Sequence, residues 1–553
     1  MRVVALRIPG GSLPLWLAEL AARLAQLPGV DLRVWAVPVN VPWAHGPQAP
    51  ALLRPGPPLA LQPWLQAAHE PQVADVLIDL CPQVPLRGMS PPGRPKGEYR
   101  SAQHEGAPLS PPGRPKGAFR SAQRDGAALS MPRWVPVDGD GRQLAARWPG
   151  VAHVAQGQGA QVTLLCQAPG QPGWQRLHQV CGSASAHYRR GVDGLFEALY
   201  RLLEQALQRW GDAGCADAAG VGTHPVEPLP ALGGPAVLAA LWRGRWRAAL
   251  RSTRERWLTE HWRVGVIDAP IHTLLERPGL PRVRWLAQRD ASGYWADPFG
   301  MPGEPTQLFC ERYDAETGLG HIELMQALGN DLVTLARVPL NGPGHASFPN
   351  VFEHDGRLYG MAETGDRREC VLHEVSADGR WAPLARLISG VAVADPAIFH
   401  WQGRFWLAFS DADREPWANL CLYHADHLLG PWQPHAHNPV LLDLRGARMA
   451  GNFFWHACQL YRPGQDGSAG YGSALALYRV EQCTPQTYRE TLVCRLAPQP
   501  DGPCPDGLHT LNAWGQRTLV DGKAWHFSWR AVAHKARRRL WHARSTPQRL
   551  ETP

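Results

Sequence analysis

The sequence predicts a multi-domain protein with an N-terminal α/β domain of Rossmann-like type and a C-terminal all-β five-bladed propeller. Three observations support this. The chain has 553 residues, too many for one hydrophobic core. Its start alternates apolar strand-like runs with a helical pattern. From Val264 onward, short aromatic-rich strands are separated by tight turns.

Composition indicates a folded protein, with 44% hydrophobic and 19% charged residues. The net charge of +8 comes almost wholly from arginine, whose planar fork suits carboxylates and phosphates. That charge fits an acidic sugar, a nucleotide or an anionic membrane surface, but a GC-rich genome would also produce it. The 11 cysteines include no CxxC pair, and Arg7, Glu19 and Arg23 interrupt any signal-peptide core. We therefore expect a cytoplasmic protein with no cofactor and no metal.

The predicted α/β domain covers residues 1–217. Its first elements are a strand at Arg2 to Ile8, a helix at Leu13 to Leu27, and strands at Leu32 to Val39 and Ala74 to Leu80. The turn after the first strand does not match GxGxxG, so the sequence indicates no dinucleotide site.

A duplicated segment interrupts this domain at residues 90–129. SPPGRPKGEYRSAQHEGAPL is followed at once by SPPGRPKGAFRSAQRDGAAL, with fifteen of twenty positions identical. Its Pro, Gly and charge content cannot form a core, which predicts a flexible surface insertion. Because acidic residues alternate with the basic ones, we do not expect nucleic acid as a partner.

The domain is predicted to end with strand pairs at Val151 to Gln167 and an amphipathic helix at Gly191 to Trp210. Residues 218–262 then form a Pro/Gly linker and a connector helix at Pro235 to Trp262 that is rich in Arg and Trp. This helix is predicted to pack through Trp242, Trp246 and Leu250. Peripheral contact with a membrane surface is the alternative.

The remaining residues, 263–553, contain similar predicted hairpins whose turns close on Gly356, Gly403 and Gly522. The first two glycines are 47 residues apart, a spacing suited to four-stranded propeller blades. An ordinary β-sandwich is the alternative. A propeller is favoured because polar motifs recur with the hairpins, namely WADPFG, SFPNVF, VADPAIF and RMAGNFF.

Two of these motifs contain an Ala-Asp-Pro triplet, at Asp297 and Asp395. The inner strands of a propeller converge on its axis, so both carboxylates are expected in one central cavity. The following proline biases each Asp toward extended geometry, which would aim it rigidly as a base or nucleophile. Asp before Pro is also a common turn-former, so a structural role for either residue remains open.

On these motifs, together with GPWQPHAHNPV and YRPGQDGSAGYG, residues 262–545 resemble the five-bladed propellers of glycoside hydrolase family 43. They resemble still more the N-terminal propeller-like region of glucosamine inositolphosphorylceramide transferases and their bacterial relatives. Those relatives often carry a formyltransferase-like α/β domain in front. The first 230 residues lack the Asn and His-Pro-Ser active-site pattern of formyltransferases, which implies a fold without that activity.

The resemblance implies an Asp acting as base or nucleophile, a second Asp that adjusts pKa values or holds substrate, and a Glu acting as general acid. Asp297 matches the first role and Asp395 the second. The acid departs from the hydrolase pattern, because the best candidate, Glu363, lies one blade earlier than expected. The predicted substrate-binding residues are Arg448, Arg462, Asp466 and His509.

Arginines beside the cavity are expected to lower carboxylate pKa values, which suits a base and a phosphate leaving group more than an acid. For Asp466, closure of a turn is the alternative, and for Arg462 a structural ion pair. His435 and His437 form an HxH pair, which without a third ligand is expected to be structural or exposed.

These observations favour a carbohydrate-active protein of glycan or glycolipid biosynthesis that transfers or cleaves a glycosyl unit. Its partner would be a sugar, nucleotide-sugar or glycolipid substrate. Two alternatives remain open. One is a non-catalytic glycan-binding propeller that works with a separate glycosyltransferase, and the other is an intracellular family 43-like glycosidase, which requires a Glu in the cavity.

Overall fold

The computed structural model describes residues 2–9, 15–27, 30–37, 74, 76–80, 131–138, 144, 159–169, 171, 173–184, 188–213, 234–276, 279–288, 292–340 and 344–527. The duplicated segment at 90–129 lies outside the described residues, as do residues 151–158, the linker residues 218–233, and residues 528–553.

The N-terminal part contains one six-stranded sheet in the order β2-β1-β3-β4-β5-β6, in which β1 to β4 pair in parallel and β5 and β6 are antiparallel. Its elements are β1 (Arg2–Pro9), α1 (Leu15–Ala25), β2 (Val30–Val37), β3 (Val76–Asp79), β4 (Arg133–Asp138), β5 (Gly159–Gln167), β6 (Gln175–Ala184) and α2 (Tyr188–Ala213).

Leu17, Leu20 and Leu24 of α1 are buried in one core with Leu195 and Leu199 of α2, as the helical periodicity predicts. An α/β sheet is therefore present in the described residues, while its Rossmann-like and formyltransferase-like character stays a prediction.

A long helix, α3 (Gly234–Trp257), leads directly into the propeller. The packing predicted for it is wrong, since Trp242, Trp246 and Leu250 are 63%, 50% and 57% exposed. Its predicted last residues instead begin a strand at Leu258, so the propeller starts there and not at residue 263. None of the described helices combines the length and apolarity needed to cross a membrane.

The C-terminal part consists of five antiparallel sheets, which confirms the predicted five-bladed propeller. In chain order its strands are β7 (Leu258–Ile267), β8 (Arg284–Trp285), β9 (Gly293–Gly300), β10 (Gln307–Asp314), β11 (Leu319–Leu328), β12 (Asp331–Arg337), β13 (Ser347–His354), β14 (Arg357–Glu363), β15 (Glu369–Val375), β16 (Trp381–Ser389), β17 (Val393–Trp401), β18 (Arg404–Asp411), β19 (Asn419–Ala425), β20 (Gln433–Pro434), β21 (Leu441–Leu442), β22 (Phe454–His456), β23 (Gln459–Asp466), β24 (Ala474–Cys483), β25 (Tyr488–Leu496), β26 (Leu511–Trp514) and β27 (Arg517–Phe527). Short 3₁₀ turns occur at Ile271–Leu275 and Gly365–Arg367.

Blades one to four follow the chain, from β9–β12 to β22–β25, with the first strand of each at the axis. The inner strands β9, β13 and β17 are almost wholly buried, whereas the outer strands β12 and β16 are largely exposed. Blade five combines both ends of the propeller, in the order β26-β27-β7-β8, so that β7 pairs along β27 from Leu258↔Phe527 to Ile267↔Thr518. This pairing closes the ring.

The hairpin turns at Gly356 and Gly403 are confirmed, and both glycines have the positive φ of a tight turn, 71° and 78°. The turn predicted at Gly522 is wrong, because Gly522 lies inside the continuous strand β27. A Cβ atom there would lie 2.3 Å from Cη2 of Trp285. Gly522 is thus required by the close approach of an indole ring and not by a turn.

The two parts of the chain touch at blades three and four. The Leu444 backbone N–H donates to the Cys181 carbonyl at 3.1 Å, and the Gln205 side chain donates to the Pro439 carbonyl at 3.0 Å. Leu442 of β21 is buried in the N-terminal core.

Candidate active site

Three inner strands contain the same irregularity. Asp297, Phe348 and Asp395 each precede a proline, lie at a register shift in their strand pair, and have left-handed φ values of 49°, 49° and 50°. The extended geometry predicted for the two Asp residues is therefore wrong. Each sits in a β-bulge, which turns its side chain out of the regular strand alternation. Left-handed backbone costs a non-glycine residue on the order of 1–3 kcal/mol, so other contacts must hold it.

Carboxylates hold these bulges. The backbone N–H of Asp297 donates to Oδ2 of Asp521 at 3.0 Å, that of Phe348 donates to Oδ2 of Asp297 at 3.2 Å, and that of Asp395 donates to Oε2 of Glu363 at 3.1 Å. Asp521 also accepts from the backbone N–H groups of His509 and Thr510. Each carboxylate thus holds the bulge on the inner strand of the next blade. Asp521 of blade five acts on blade one, Asp297 of blade one on blade two, and Glu363 of blade two on blade three.

Asp297 is 5% exposed and has hydrogen bonds at both carboxylate oxygens. Oδ1 accepts from the Thr510 hydroxyl at 2.6 Å and lies 3.7 Å from Nε2 of His509. Burial raises the pKa of Asp297 to about 6, although His509 opposes this. Asp395 adds to the rise through its negative charge, so the two Asp side chains share one electrostatic environment.

Asp395 is ion-paired with Arg448, whose Nε lies 2.5 Å from Oδ2. The same oxygen accepts from the Gln465 side chain at 2.8 Å. The other arm of Arg448 reaches Glu363, with NH2 3.6 Å from Oε2. Asp395, Glu363 and Arg448, all three selected from the sequence, therefore form one cluster.

Glu363 has the protonation that a general acid needs. Burial, followed by the charge of Asp395, raises its pKa to about 8 despite the nearby Arg448. Arg448 lowers the pKa of Glu363, as expected of an arginine beside the cavity, but burial and the charge of Asp395 outweigh it, so that the net shift is upward. Burial and Asp395 therefore favour the protonated form of Glu363, whose side chain is 17% exposed.

His509 lies beneath Asp297. Its ring stacks on Trp262 at a centroid distance of 3.8 Å, and Nδ1 lies 2.6 Å from Oδ2 of Asp521. Burial disfavours the charged ring, but Asp521 and Asp297 outweigh it and raise the pKa of His509. This contact pattern makes His509 a support for Asp297, whereas the sequence predicted a substrate contact.

Two predicted substrate contacts lie elsewhere. Arg462 is fully buried, where it forms two hydrogen bonds to Glu490 at 2.7 and 2.5 Å and one to the Gly446 carbonyl at 2.7 Å. Asp466 accepts from the backbone and hydroxyl of Ser468 and pairs with Arg495, so it closes a turn. Both substrate-binding predictions are wrong, and the structural alternatives hold.

Sequence reasoning missed three polar residues of this site. Gln465 reaches Asp395 because side chains alternate along β23, which turns the neighbouring Asp466 away. Asp521 was mistaken for part of a turn, since Asp-Gly is a common turn pair. Glu311 of β10 is 7% exposed, and burial followed by the charge of Asp297 raises its pKa well above the usual range.

Two exposed aromatic side chains lie next to this network. Trp417 is 46% exposed and packs against the Arg448 guanidinium at 4.7 Å, and Tyr471 is 39% exposed and lies 5.6 Å from the His509 ring. The two rings meet edge-on at 4.8 Å. They form an aromatic rim that extends from the Arg448 side of the site to the His509 side. Both lie in loops, where no periodicity could have identified them.

Within the described residues, His, Cys and acidic side chains come close enough to share a metal at Asp297, His509 and Asp521, whose ligand atoms all lie within 4.8 Å of one another. These side chains already have hydrogen-bond partners within the protein: His509 is bonded to Asp521, and Asp297 to Thr510. His435 and His437 do not belong to this group. His435 is buried, and its Nδ1 accepts from the His437 backbone N–H at 3.0 Å.

Part of the propeller is similar to known proteins. A family described as "Glucosamine inositolphosphorylceramide transferase 1, N-terminal" matches residues 285–501. The curated protein glucosamine inositolphosphorylceramide transferase 1 of Oryza sativa subsp. japonica is 31% identical over 209 residues, which are 36% of this chain and 28% of the relative. The Arabidopsis thaliana protein of the same name is 30% identical over 210 residues, 36% of this chain and 27% of the relative. The chain thus spans less than a third of the length of these relatives.

Solved structures of glycoside hydrolases also align with the chain. The exo-β-1,3-galactanase of Clostridium thermocellum has a TM-score of 0.28 at 12% identity, and covers 36% of this chain and 48% of the enzyme. A xylan β-1,4-xylosidase of Bacillus halodurans has a TM-score of 0.30 at 15% identity, and the alignment covers 38% of this chain and 48% of the enzyme. A family 117 glycoside hydrolase of Zobellia galactanivorans has a TM-score of 0.29 at 12% identity, and the alignment covers 49% of this chain and 91% of the enzyme.

Proposed function

We propose that the buried polar cluster on the inner strands, with the aromatic rim beside it, is an active site that cleaves or transfers a glycosyl unit. The observation that carries this proposal is a cluster of buried carboxyl groups: Glu363 and Asp395 share the Arg448 guanidinium, and the charge of Asp395 raises the pKa of both Glu363, to about 8, and Asp297, to about 6. Two carboxyl groups whose environments separate their pKa values are the arrangement that acid–base chemistry at a glycosidic bond requires.

In this proposal Glu363 donates its proton to the leaving-group oxygen while the bond from that oxygen to the anomeric carbon breaks. In one route Asp297 attacks the anomeric carbon, and the acceptor oxygen then displaces the resulting glycosyl ester while Glu363 takes the acceptor's proton. In the other route Asp297 takes the proton of an acceptor hydroxyl whose oxygen attacks the anomeric carbon directly. The Asp395–Arg448 pair sets the electrostatics, since the charge of Asp395 favours the protonated form of Glu363. The first route restores both carboxyl groups; in the second, Asp297 releases its proton to solvent and Glu363 takes one from solvent.

The aromatic rim of Trp417 and Tyr471 gives the proposal its substrate class. Exposed aromatic faces beside buried polar groups suit a ligand with both apolar faces and hydroxyl edges, as a sugar ring has. The plant relatives are named glucosamine inositolphosphorylceramide transferase. We therefore propose a sugar donor and a lipid acceptor, whose product is a glycolipid. The cytoplasmic location expected from the sequence stays a prediction.

A second function has one specific observation in its favour. Both carboxylate oxygens of Asp297 already accept hydrogen bonds from within the protein, and Glu363 anchors a bulge. If these carboxyl groups only stabilise the fold, the propeller binds glycans without turning them over. It then depends on a separate glycosyltransferase for catalysis.

The test is a turnover and binding screen with nucleotide sugars and aryl glycosides, run on wild type, Asp297→Asn, Glu363→Gln and the control Glu353→Gln. Glu353 is exposed on the same blade as Glu363. Loss of turnover in the first two variants with retained sugar binding, and no change in the control, supports catalysis. Sugar binding without turnover in the wild type supports the binding function, and turnover that survives Asp297→Asn refutes the catalytic assignment.

A further inference from the structure

Helix α3 has an exposed apolar face. Leu238, Trp242, Trp246 and Leu250 follow one another at intervals of four residues, so they form one stripe along the helix, and they are 50–69% exposed. Trp257, at the end of the helix, is 43% exposed. An exposed apolar stripe that includes two tryptophans, with a third at the end of the helix, is unusual for a helix in water and indicates an interaction surface.

Arginines border this stripe on both sides. At 100° per residue, Arg245 and Arg256 fall on one edge, while Arg243 and Arg247 fall on the other, and all four are exposed. The helix contains six arginines and one acidic residue, Glu255. Positive flanks around a Trp-rich stripe match a surface that is apolar inside and negative outside, which is the interface of an anionic lipid bilayer.

The base of the helix is fixed to the propeller. Arg254 forms an ion pair with Asp506 at 2.5 Å and lies over the Trp525 ring at 4.6 Å. Arg254 therefore belongs to this anchor at the C-terminal end of the helix. The apolar stripe extends from there toward the N-terminal end.

The anchor adjoins the aromatic rim of the candidate active site. Lys523, two residues before Trp525 on β27, donates to the backbone carbonyl of Tyr471 and pairs with Glu260 at 3.2 Å. Glu260 lies in β7, which follows α3 without a break. The helix thus leaves the propeller beside the residue that forms one half of the rim.

We propose that α3 is a peripheral membrane-binding helix that docks the protein on anionic bilayers beside the mouth of the central cavity. The stripe of Leu238, Trp242, Trp246 and Leu250 enters the boundary between headgroups and acyl chains, and the flanking arginines contact lipid phosphates. Docking there would bring a glycolipid headgroup to the aromatic rim. The membrane contact itself does not depend on turnover.

The test is co-sedimentation of the full chain with phosphatidylcholine vesicles that contain or lack phosphatidylglycerol. Wild type is expected to bind the anionic vesicles and to lose binding as salt rises. Arg243→Gln combined with Arg245→Gln should weaken binding roughly 25-fold, since each arginine near an anionic surface contributes about fivefold. Trp242→Ala combined with Trp246→Ala should abolish it.

Matched controls use equally exposed residues elsewhere, Trp455→Ala and Arg380→Gln, which should bind as wild type does. Circular dichroism checks that each variant is folded. No vesicle binding by the wild type, equal binding to neutral vesicles, or full binding by the Trp variant would overturn the proposal. So would light scattering that shows a dimer lost in the Trp variant without vesicle binding, because the stripe would then join two copies. Turnover of soluble substrates tests the proposed function separately.

Discussion

Replacement of Glu363 by Gln should abolish turnover and yet stabilise the protein at neutral pH. The Glu363 carboxyl has an ordinary pKa of 4.5 and a folded-state pKa of about 8, so folding requires the side chain to take up a proton. A glutamine is neutral at every pH, and its carbonyl oxygen can still accept from the Asp395 backbone N–H that Glu363 now accepts. The substitution therefore removes the cost of protonation and keeps the bulge anchored.

The direction and size of this stability change follow from the linkage between proton binding and folding. Because the folded-state pKa of this acid is raised, its contribution to stability is fully present below pH 4.5 and is lost as pH rises through about 8. Between pH 4.5 and about 8, each pH unit lowers the free energy of unfolding of the wild type by about 1.4 kcal/mol. The total loss at pH 7 is on the order of 3 kcal/mol. Glu363→Gln should recover much of this, and its advantage over wild type should shrink as pH falls toward 4.5.

Urea unfolding, followed by tryptophan fluorescence at about pH 5 and about pH 7.5, measures the difference in free energy of unfolding. Glu353→Gln is the control, because Glu353 is exposed and should show no such pH-dependent gain. If Glu363→Gln were less stable than wild type at pH 7.5, or if the difference did not change with pH, Glu363 would be ionised in the folded protein. The assignment of a general acid would then fail.

Three further predictions concern the site and the ring. The pH dependence of turnover should be bell-shaped, rising through about 6 as Asp297 ionises and falling through about 8 as Glu363 loses its proton; a flat profile between those limits would contradict the acid–base pair. Tyr471→Ala should weaken sugar binding by about 1 kcal/mol in calorimetry without lowering the melting temperature, since the ring is 39% exposed; unchanged affinity would exclude it from the rim. Gly522→Ala should lower stability by about 1–3 kcal/mol, because its Cβ would overlap Trp285, and a neutral effect in thermal melting would contradict that contact.

The sequence was most informative where a local pattern has one structural solution. Gly356 and Gly403 mark real hairpin turns, and the recurrence of these hairpins predicts the blades. Asp297 and Asp395 were found because both occur in the same triplet at matching places in two blades.

It was least informative where the answer depends on residues far apart in the chain. Gly522 looks like a turn because the reason for it, Trp285, lies in another strand of blade five. The raised pKa of Glu363 depends on burial and on Asp395 of the next blade, neither of which a single strand reveals. The local environment of Arg462 likewise depends on Glu490, 28 residues later.

Closure of the ring by β7 and β27 also has a consequence for the order of events during synthesis. The pairing joins residues as distant as Leu258 and Phe527, which are 269 positions apart. Long-range contacts of this kind form late. The strand that arrives last carries Asp521, which holds the bulge at Asp297. A nascent chain that lacks β27 would therefore hold four blades as an open arc with an unformed centre, so the candidate active site would become competent only after translation has passed Phe527.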